Sequence, residues 1–244
     1  MITLKGLSIG YMNGRHTKCV ARGIDAGMKE GSLTCLVGSN GIGKSTLLRT
    51  IAGLVPPLEG GILIKDNATG EITDTGLLND VDRARLISVV LTGHGDENML
   101  SVYDVVSFGR IPYSGLWGGL SDADKDAISH AIGLVGIESL AECDINRLSD
   151  GERQKVMIAK ALAQQTPVIL LDEPSAFLDY PSKHELMRLL VNLAHNEGKT
   201  ILLSSHDLDI ISNYADSYWI MERSDAGSTL RQAKEYRFST NTTT

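Results

Sequence analysis

The chain has 244 residues, a length that fits one α/β domain or two small ones. Hydrophobic residues make up 42% of the chain, enough for a sizeable core, and the net charge of −7 argues against free nucleic acid as the primary partner. Aromatic residues make up only 5%, which also argues against a base-stacking platform for single strands.

Strands and helices are predicted to alternate along the chain. The first strand, 2–11, alternates apolar and polar residues, as a half-buried strand does. Continuous apolar runs predict strands buried on both faces of a sheet at 32–38, 87–91, 168–172 and 200–205. Helical patterns occupy 44–54, 124–135, 151–164 and 183–195. The alternation predicts an α/β fold with a mainly parallel, doubly wound sheet, and the largely helical stretch 101–165 predicts a helical subdomain inserted into it.

Residues 38–46, GSNGIGKST, follow a predicted buried strand and open a predicted helix. They match the phosphate-binding pattern G-x-x-x-x-G-K-[ST], in which backbone N–H groups and the helix dipole face phosphate oxygens. The lysine would reach the β- and γ-phosphates and the serine hydroxyl would hold Mg²⁺. The alternative is a glycine-rich turn whose N–H groups are satisfied by water. The candidate nucleotide-binding residues of this loop are Gly38, Ser39, Asn40, Gly41, Gly43, Lys44, Ser45 and Thr46.

A second motif, VILLDEPSAFLD at 168–179, ends a buried strand in two acids. Asp172 would lie beside the Mg²⁺ site and order metal-bound water. Glu173 would orient or activate the attacking water, which makes it a candidate catalytic residue. The alternative is that the two carboxylates only cap the end of the strand.

The segment LSDGERQKV, 148–156, resembles the signature L-S-G-G-Q of the ATP-binding subunits of ABC transporters. In that family the signature of one copy caps the γ-phosphate held by the phosphate loop of a second copy, in a head-to-tail dimer. The residue types suit this role. The serine is an N-cap, the glycine permits close approach, and the positive end of the helix dipole points at an anion. On its own the segment would be an ordinary capped helix start. The residues carried over are Leu148, Ser149, Asp150, Gly151 and Glu152, of which Asp150 and Glu152 depart from the family's glycine and glutamine.

Three further positions resemble functional residues of the family. His206, after the strand at 200–205, matches the switch histidine that contacts the γ-phosphate, and Asp179 matches the loop that crosses the dimer seam. Tyr11 matches the aromatic residue that stacks on adenine. The alternatives are a structural role for His206 and edge-strand packing for Tyr11.

One position departs from the family at the end of the strand in SVVLTGHGD, 88–96. The family usually has a glutamine there that reaches Mg²⁺ and water, whereas this chain has Thr92 and no glutamine before Gln154. The Thr92 hydroxyl would contact metal-bound water with a shorter reach. His94, Asp96 or Glu97 could substitute if the loop folds inward, or these side chains could face solvent.

The segment SVYDVVSFGRIPYSG, 101–115, resembles the G-R-x-P-[YH] element of ATPases that serve iron–siderophore, haem and cobalamin importers. Pro112 is predicted to end a helix that begins near Ser101. The alternative is that this segment is only a helix stop and a turn. In the family, the region equivalent to 92–115 docks two membrane-spanning permease subunits, and Tyr113 is one of its candidate anchors here.

The resemblance implies one ABC ATPase domain over 1–244, with a P-loop NTPase core (1–91 and 166–244) and an inserted coupling loop and helical signature subdomain (92–165). It also implies an N-terminal antiparallel β subdomain. ATP and Mg²⁺ are the implied ligands, with Ser45, Asp172 and Thr92 toward the metal. The implied partners are a second copy, the permease subunits and, indirectly, a substrate-binding protein; nucleic acid is not among them.

Location at the cytoplasmic face of the membrane follows from the implied permease partners. The three cysteines are odd in number without paired metal spacing, which predicts reduced thiols in a cytosolic protein. The N-terminus has no apolar signal segment, and no run reaches the roughly 18–20 apolar residues that a membrane-spanning helix needs. Two alternatives remain open: a non-transport ABC ATPase that acts in assembly or repair, and a regulatory module that closes on ATP but hydrolyses it poorly.

Overall fold

The computed structural model describes residues 1–14, 16–65, 70–91, 99–114, 119–224 and 227–236. These residues form ten strands: β1 Ile2–Asn13, β2 His16–Met28, β3 Leu33–Val37, β4 Glu59–Lys65, β5 Ile72–Asp74, β6 Ile87–Val90, β7 Val168–Leu171, β8 Thr200–Ser204, β9 Ser217–Ser224 and β10 Gly227–Ala233. The α-helices of the described ranges are α1 Lys44–Ile51, α2 Asp80–Ala84, α3 Val102–Ser107, α4 Asp122–Val135, α5 Asp150–Ala163, α6 Tyr180–His195 and α7 Leu208–Ile211.

All ten of these strands belong to one sheet, in the order β5-β4-β1-β2-β10-β9-β3-β8-β7-β6. The strands β9, β3, β8, β7 and β6 run parallel. The strands β5, β4, β1 and β2 form an antiparallel ladder, and β10 joins the two halves by pairing with β9 and, at Ser228, with Ala21 of β2. The predicted antiparallel N-terminal strands are therefore present. The sheet as a whole is mixed, because the parallel arrangement holds only for the half that carries the motifs.

The central strands are buried on both faces, as their continuous apolar runs predict. Ile169 and Leu171 of β7 pack into a cluster with the helices α3 to α6. Leu170, between them, packs on the opposite face with α1 and β1. This alternation follows from the two-residue period of a strand, and it places the carboxyl ends of β3, β7 and β8 at one edge of the sheet.

The helices α3, α4 and α5 lie between β6 and β7 in the chain and pack on one another. The expectation that Pro112 ends the first of them is wrong. The α-helix ends at Ser107, and Pro112 lies inside a 3₁₀ helix, Phe108–Tyr113. The α-helix gives way to the 3₁₀ helix where the backbone packs closely on α5. A Cβ on Gly109 would lie 2.3 Å from the Lys160 carbonyl oxygen.

Arg110, inside this 3₁₀ helix, is buried and holds the helical region together. Its Nε donates to Asp124 Oδ1 (2.8 Å), and its Nη1 donates to the Ala163 carbonyl (2.6 Å) and to Gln165 Oε1 (2.8 Å). Hydrogen bonds from Ser121, and then from Arg110, lower the pKa of Asp124 from 3.8 to about 2. The sequence motif around Arg110 thus contains a structural ion pair between two helix ends.

We expect Arg110→Met to lower the free energy of unfolding by about 3–5 kcal/mol, because it leaves Oδ1 of the buried Asp124 carboxylate without its charged partner and the Ala163 carbonyl oxygen without its donor. Urea denaturation at pH 7 measures this. The control is Lys125→Met, which breaks an exposed ion pair with Asp122 and should cost about 1 kcal/mol or less. The pKa of Asp124 is lowered on folding, so its stabilising contribution is present above pH 4 and is lost as pH falls toward 2. An equal loss in both variants would contradict the role of Arg110.

Candidate functional site

The predicted phosphate loop, residues 38–46, connects the end of β3 to the first turn of α1 at the carboxyl edge of the parallel strands. Gly43 precedes the helix with φ of +118°, and a Cβ there would lie 2.4 Å from Val20 Cγ1. A Cβ on Gly38 would lie 2.8 Å from the Met221 carbonyl oxygen. Both positions therefore need glycine, since the loop presses on β2 and β9 while it curls toward the helix.

Lys44 turns back into this loop and is only 5% exposed. Its Nζ donates to the Gly38 carbonyl oxygen at 2.8 Å and lies 3.7 Å from Glu173 Oε1. The other oxygen of that carboxylate, Oε2, lies 3.2 Å from His206 Nδ1. Three motifs that are far apart in sequence thus meet in one cluster of a cation, a carboxylate and an imidazole.

The two acids after β7 have different surroundings. Asp172 is 3% exposed, and its Oδ1 accepts a hydrogen bond from Ser204 Oγ at 2.7 Å. Glu173 is partly exposed and has φ of +46°, in the left-handed region that non-glycine residues rarely adopt. Its backbone N–H donates to the same Ser204 Oγ at 2.8 Å. Sequence reasoning missed Ser204, although a polar residue directly after the apolar stretch 201–203 is a usable signal.

The remaining loop residues lie around the same edge. Ser39 and Asn40 line an open hollow of about 400 Å³ together with His206. Tyr11 is exposed on β1, and its hydroxyl lies 3.0 Å from Thr46 Oγ1 in α1. The structure therefore brings Tyr11 to the phosphate loop, and its stacking on adenine stays a prediction.

The signature segment begins α5, and its helix end is closed by the chain's own carboxylate. Ser149 is the N-cap, and its Oγ accepts from the Glu152 N–H at 3.4 Å. Glu152 Oε2 in turn accepts from the Ser149 N–H at 2.9 Å and from Ser149 Oγ at 2.7 Å. These bonds lower the pKa of Glu152, so it is ionised at neutral pH. The departure from glutamine thus places a negative charge on the helix N-terminus.

The signature and the phosphate loop lie at different hollows of the chain. Ser149, Gly151 and Glu152 line a hollow of about 150 Å³ against α6. Asp150 lines a smaller cleft, of about 60 Å³, whose wall includes Asp172 and Glu173. Within one copy, the signature serine is therefore not part of the hollow that contains the phosphate loop and His206.

Asp179 caps α6 by accepting a hydrogen bond from the Ser182 N–H at 3.0 Å. Hydrogen bonds from the Ser182 side chain, and then from this N–H, lower the pKa of Asp179. The helix consequently begins at Tyr180, three residues before the start that periodicity predicts. The seam role of Asp179 stays a prediction.

Thr92 lies outside the described residues. Among the described residues, no group of three or more His, Cys, Asp and Glu side chains could hold a metal ion. Magnesium in a phosphate site needs fewer protein ligands, because phosphate oxygens and waters complete its shell. A serine hydroxyl and one buried carboxylate, as in Ser45 and Asp172, fit that donor set.

The sequence profile of the ABC transporter family matches residues 21–176. An uncharacterized ABC transporter ATP-binding protein of Methanocaldococcus jannaschii is 39% identical over 216 residues, which are 88% of this chain and 71% of that protein. The iron(3+)-hydroxamate import ATP-binding protein of Bacillus subtilis is 32% identical over 214 residues, which are 88% of this chain and 76% of that protein.

The fold is also similar to a solved dimeric ATP-binding cassette in a post-hydrolysis state with ADP and Pi. That similarity has a TM-score of 0.75 and 27% identity, and it covers 98% of this chain and 100% of the other. The similarity therefore extends over the whole chain and is not confined to the phosphate loop.

Proposed function

The chain belongs to the ABC transporter family and is an ATP-hydrolysing subunit of an importer, and from this premise we propose that it energises uptake of an iron complex, a siderophore or haem, or of cobalamin. The similarity to an iron(3+)-hydroxamate import protein supports an iron complex. The GRIPY segment at 109–113 also supports it, since it resembles the element of ATPases that serve iron–siderophore, haem and cobalamin importers.

The observation that carries the ATP-hydrolysing part of this proposal is the meeting of Lys44, Glu173 and His206 beside the phosphate loop. Lys44, which now rests on a loop carbonyl, would turn to the β- and γ-phosphates of ATP. Glu173 would hold the attacking water as general base, and His206 would contact the γ-phosphate. The other loop residues from Gly38 to Thr46 would donate backbone N–H groups to the phosphates.

Magnesium would be held by Ser45 and Asp172, and bound there it would neutralise charge on the phosphates. Asp172 suits this role because Ser204 donates to one of its oxygens, and no hydrogen bond from the described part of the chain reaches the other, which would meet metal-bound water. Thr92 would add a hydroxyl to that water.

Two copies would close head to tail on two ATP molecules, with the signature of each copy, Leu148 to Glu152, on the γ-phosphate held by the other. The location of the signature serine and the phosphate loop at different hollows supports closure between copies. Asp179, at the N-terminus of α6, would lie at the seam. ATP drives closure only if the closed dimer binds it more tightly.

The permease subunits would dock on the segment 92–115, whose described part presents apolar side chains. Met99 is 92% exposed and Ile111 is 64% exposed, and Phe108 is also exposed. Tyr113 is a weaker anchor than its sequence position indicates, because its hydroxyl is bonded to the Gln164 carbonyl at 2.9 Å. Exposed apolar groups on a packed helical scaffold are typical of a protein interface.

Membrane location would come from these partners, at the cytoplasmic face, with a substrate-binding protein acting through the permease. Within the described ranges no helix is long and apolar enough to cross a bilayer.

The test of the proposed function is reconstitution of the chain with its permease in vesicles, measuring ATP-dependent uptake of a ferric siderophore, haem and cobalamin separately. ATP hydrolysis that no permease stimulates, with no uptake, would favour a non-transport ATPase.

A regulatory module with poor hydrolysis is the second candidate, and the Glu152 cap favours it. We expect Glu152→Gln to tighten ATP-driven dimerisation about fivefold to tenfold, because it removes roughly 1 kcal/mol or more of repulsion with the partner's γ-phosphate. Glutamine also closes a capping box, so the helix end is retained. Sedimentation at increasing MgATP concentrations measures dimerisation. The substitution is made in a variant that does not hydrolyse ATP.

The matched control for this prediction is Glu185→Gln, which removes one charge from the same hollow but only breaks an ion pair with Lys155. It should leave dimerisation within about twofold, the scale of an exposed pair. Unchanged or weaker dimerisation in Glu152→Gln would show that the carboxylate does not oppose closure.

A further inference from the structure

Ser204 is the last residue of β8 and is 0% exposed, after the three apolar residues 201–203. The register pairs Leu171 of β7 with Leu203 of β8. The next residues on the two strands, Asp172 and Ser204, are therefore neighbours. A buried hydroxyl beside a buried carboxylate needs a partner, and this one has two.

The Ser204 hydroxyl is used in both directions. It donates its one proton to Asp172 Oδ1 at 2.7 Å, and its oxygen accepts the Glu173 N–H at 2.8 Å. A single side chain therefore joins the carboxylate proposed for Mg²⁺ to the backbone of the residue proposed as general base.

The second bond acts on a strained residue. Glu173 has φ of +46°, a conformation that is unfavourable for an L-residue and persists only where the surroundings hold it. Its N–H is held by Ser204, and its side chain reaches Lys44 and His206. Rotation of that peptide would swing the carboxylate away from both, since the direction of Cβ follows the backbone.

We propose that Ser204 is a positioning residue that fixes Glu173 and Asp172 relative to each other and so sets the rate of ATP hydrolysis. This inference rests on the proposed function. Ser204 acts through the two acids. It also lies two residues before His206, so the same strand end positions both the histidine and the acids.

The neighbouring Ser205 provides a matched control. It is 2% exposed, and its Oγ accepts the Asp207 N–H at 3.0 Å. It follows Ser204 directly in the chain and is nearly as buried, but its hydroxyl accepts its hydrogen bond from Asp207. A loss that comes only from removing a buried hydroxyl would affect both serines alike.

The experiment measures kcat and KM for ATP in the full chain for Ser204→Ala, Ser204→Thr and Ser205→Ala, with Glu173→Gln alongside. For Ser204→Ala we expect kcat to fall about 10- to 100-fold with KM within about twofold, as for groups that orient a catalytic ligand. Ser204→Thr, which keeps the hydroxyl, should stay within about threefold of the parent kcat, and so should Ser205→Ala. If Ser204→Ala does not fold, Ser204→Cys, of similar size but a weak donor, should show the same loss.

The inference would be overturned if Ser204→Ala kept the kcat of the parent protein while Glu173→Gln was inactive. Where the alanine variant does not fold, Ser204→Cys takes its place in this comparison. The proposed function would stand in either case. Equal losses in the two serine-to-alanine variants would also overturn it. Full turnover in Glu173→Gln would remove the proposed catalytic role of Glu173 and, with it, the basis for Ser204.

Discussion

Glu173→Gln is expected to leave ATP binding intact, to lower turnover about 10²- to 10⁴-fold and to trap a dimer around ATP. Glutamine has nearly the same shape, so the contacts with Lys44 and His206 lose their charge but keep their geometry. It cannot take a proton from the attacking water at neutral pH. The closed state is then reached and does not progress to hydrolysis.

Two measurements check this result. Phosphate release gives turnover, and light scattering after size exclusion at saturating MgATP gives the oligomeric state. Glu197→Gln, at an exposed loop after α6, removes one carboxylate charge away from the site and should behave as the parent protein. A monomer of Glu173→Gln at saturating MgATP would contradict head-to-tail closure.

Lys44→Ala is expected to abolish ATP hydrolysis, with a loss of at least about 10³-fold, and to weaken nucleotide binding. The ammonium group is the cation of the phosphate loop and is within 3.7 Å of the proposed general base. Without it, the β- and γ-phosphates lose a point charge in a poorly solvated loop, where one preorganised donor is worth about 10²- to 10³-fold. Weaker binding of ATP in the ground state adds a second loss.

Phosphate release and titration with a fluorescent ATP analogue separate the two losses. Lys65→Ala removes an exposed lysine at the end of β4 and serves as the control for net charge. Circular dichroism shows whether the loop variant stays folded, since Lys44 also donates to the Gly38 carbonyl. Unchanged turnover in Lys44→Ala would remove the assignment of 38–46 as the phosphate loop.

The elements that sequence reasoning found are those whose signal is local. The apolar runs of β3, β6, β7 and β8 and the periodic patterns of α1, α4, α5 and α6 each predict their own structure within a few residues. Errors at their ends come from capping, as at α6, where Asp179 extends the helix to Tyr180. Capping depends on one side chain, and the apolar period does not report it.

Two of the strands that sequence reasoning missed, β2 and β10, carry weak local signals. β2 is exposed along much of its length without regular alternation. β10 is held by pairing with β9 and by the single pair Ser228–Ala21. Pairing partners far away in the chain stabilise such strands, so a local window does not reveal them.

By itself the sequence determined the order of the motifs and therefore the chemistry proposed for the site, because the phosphate loop, the two acids and the signature are each defined by residues only a few positions apart. The tertiary structure decided which side chains meet. The register of β7 against β8 brings Ser204 to Asp172 and Glu173, and the packing of α5 on the 3₁₀ helix buries Arg110. Both contacts join residues distant in sequence, so strand register and packing were needed to find them.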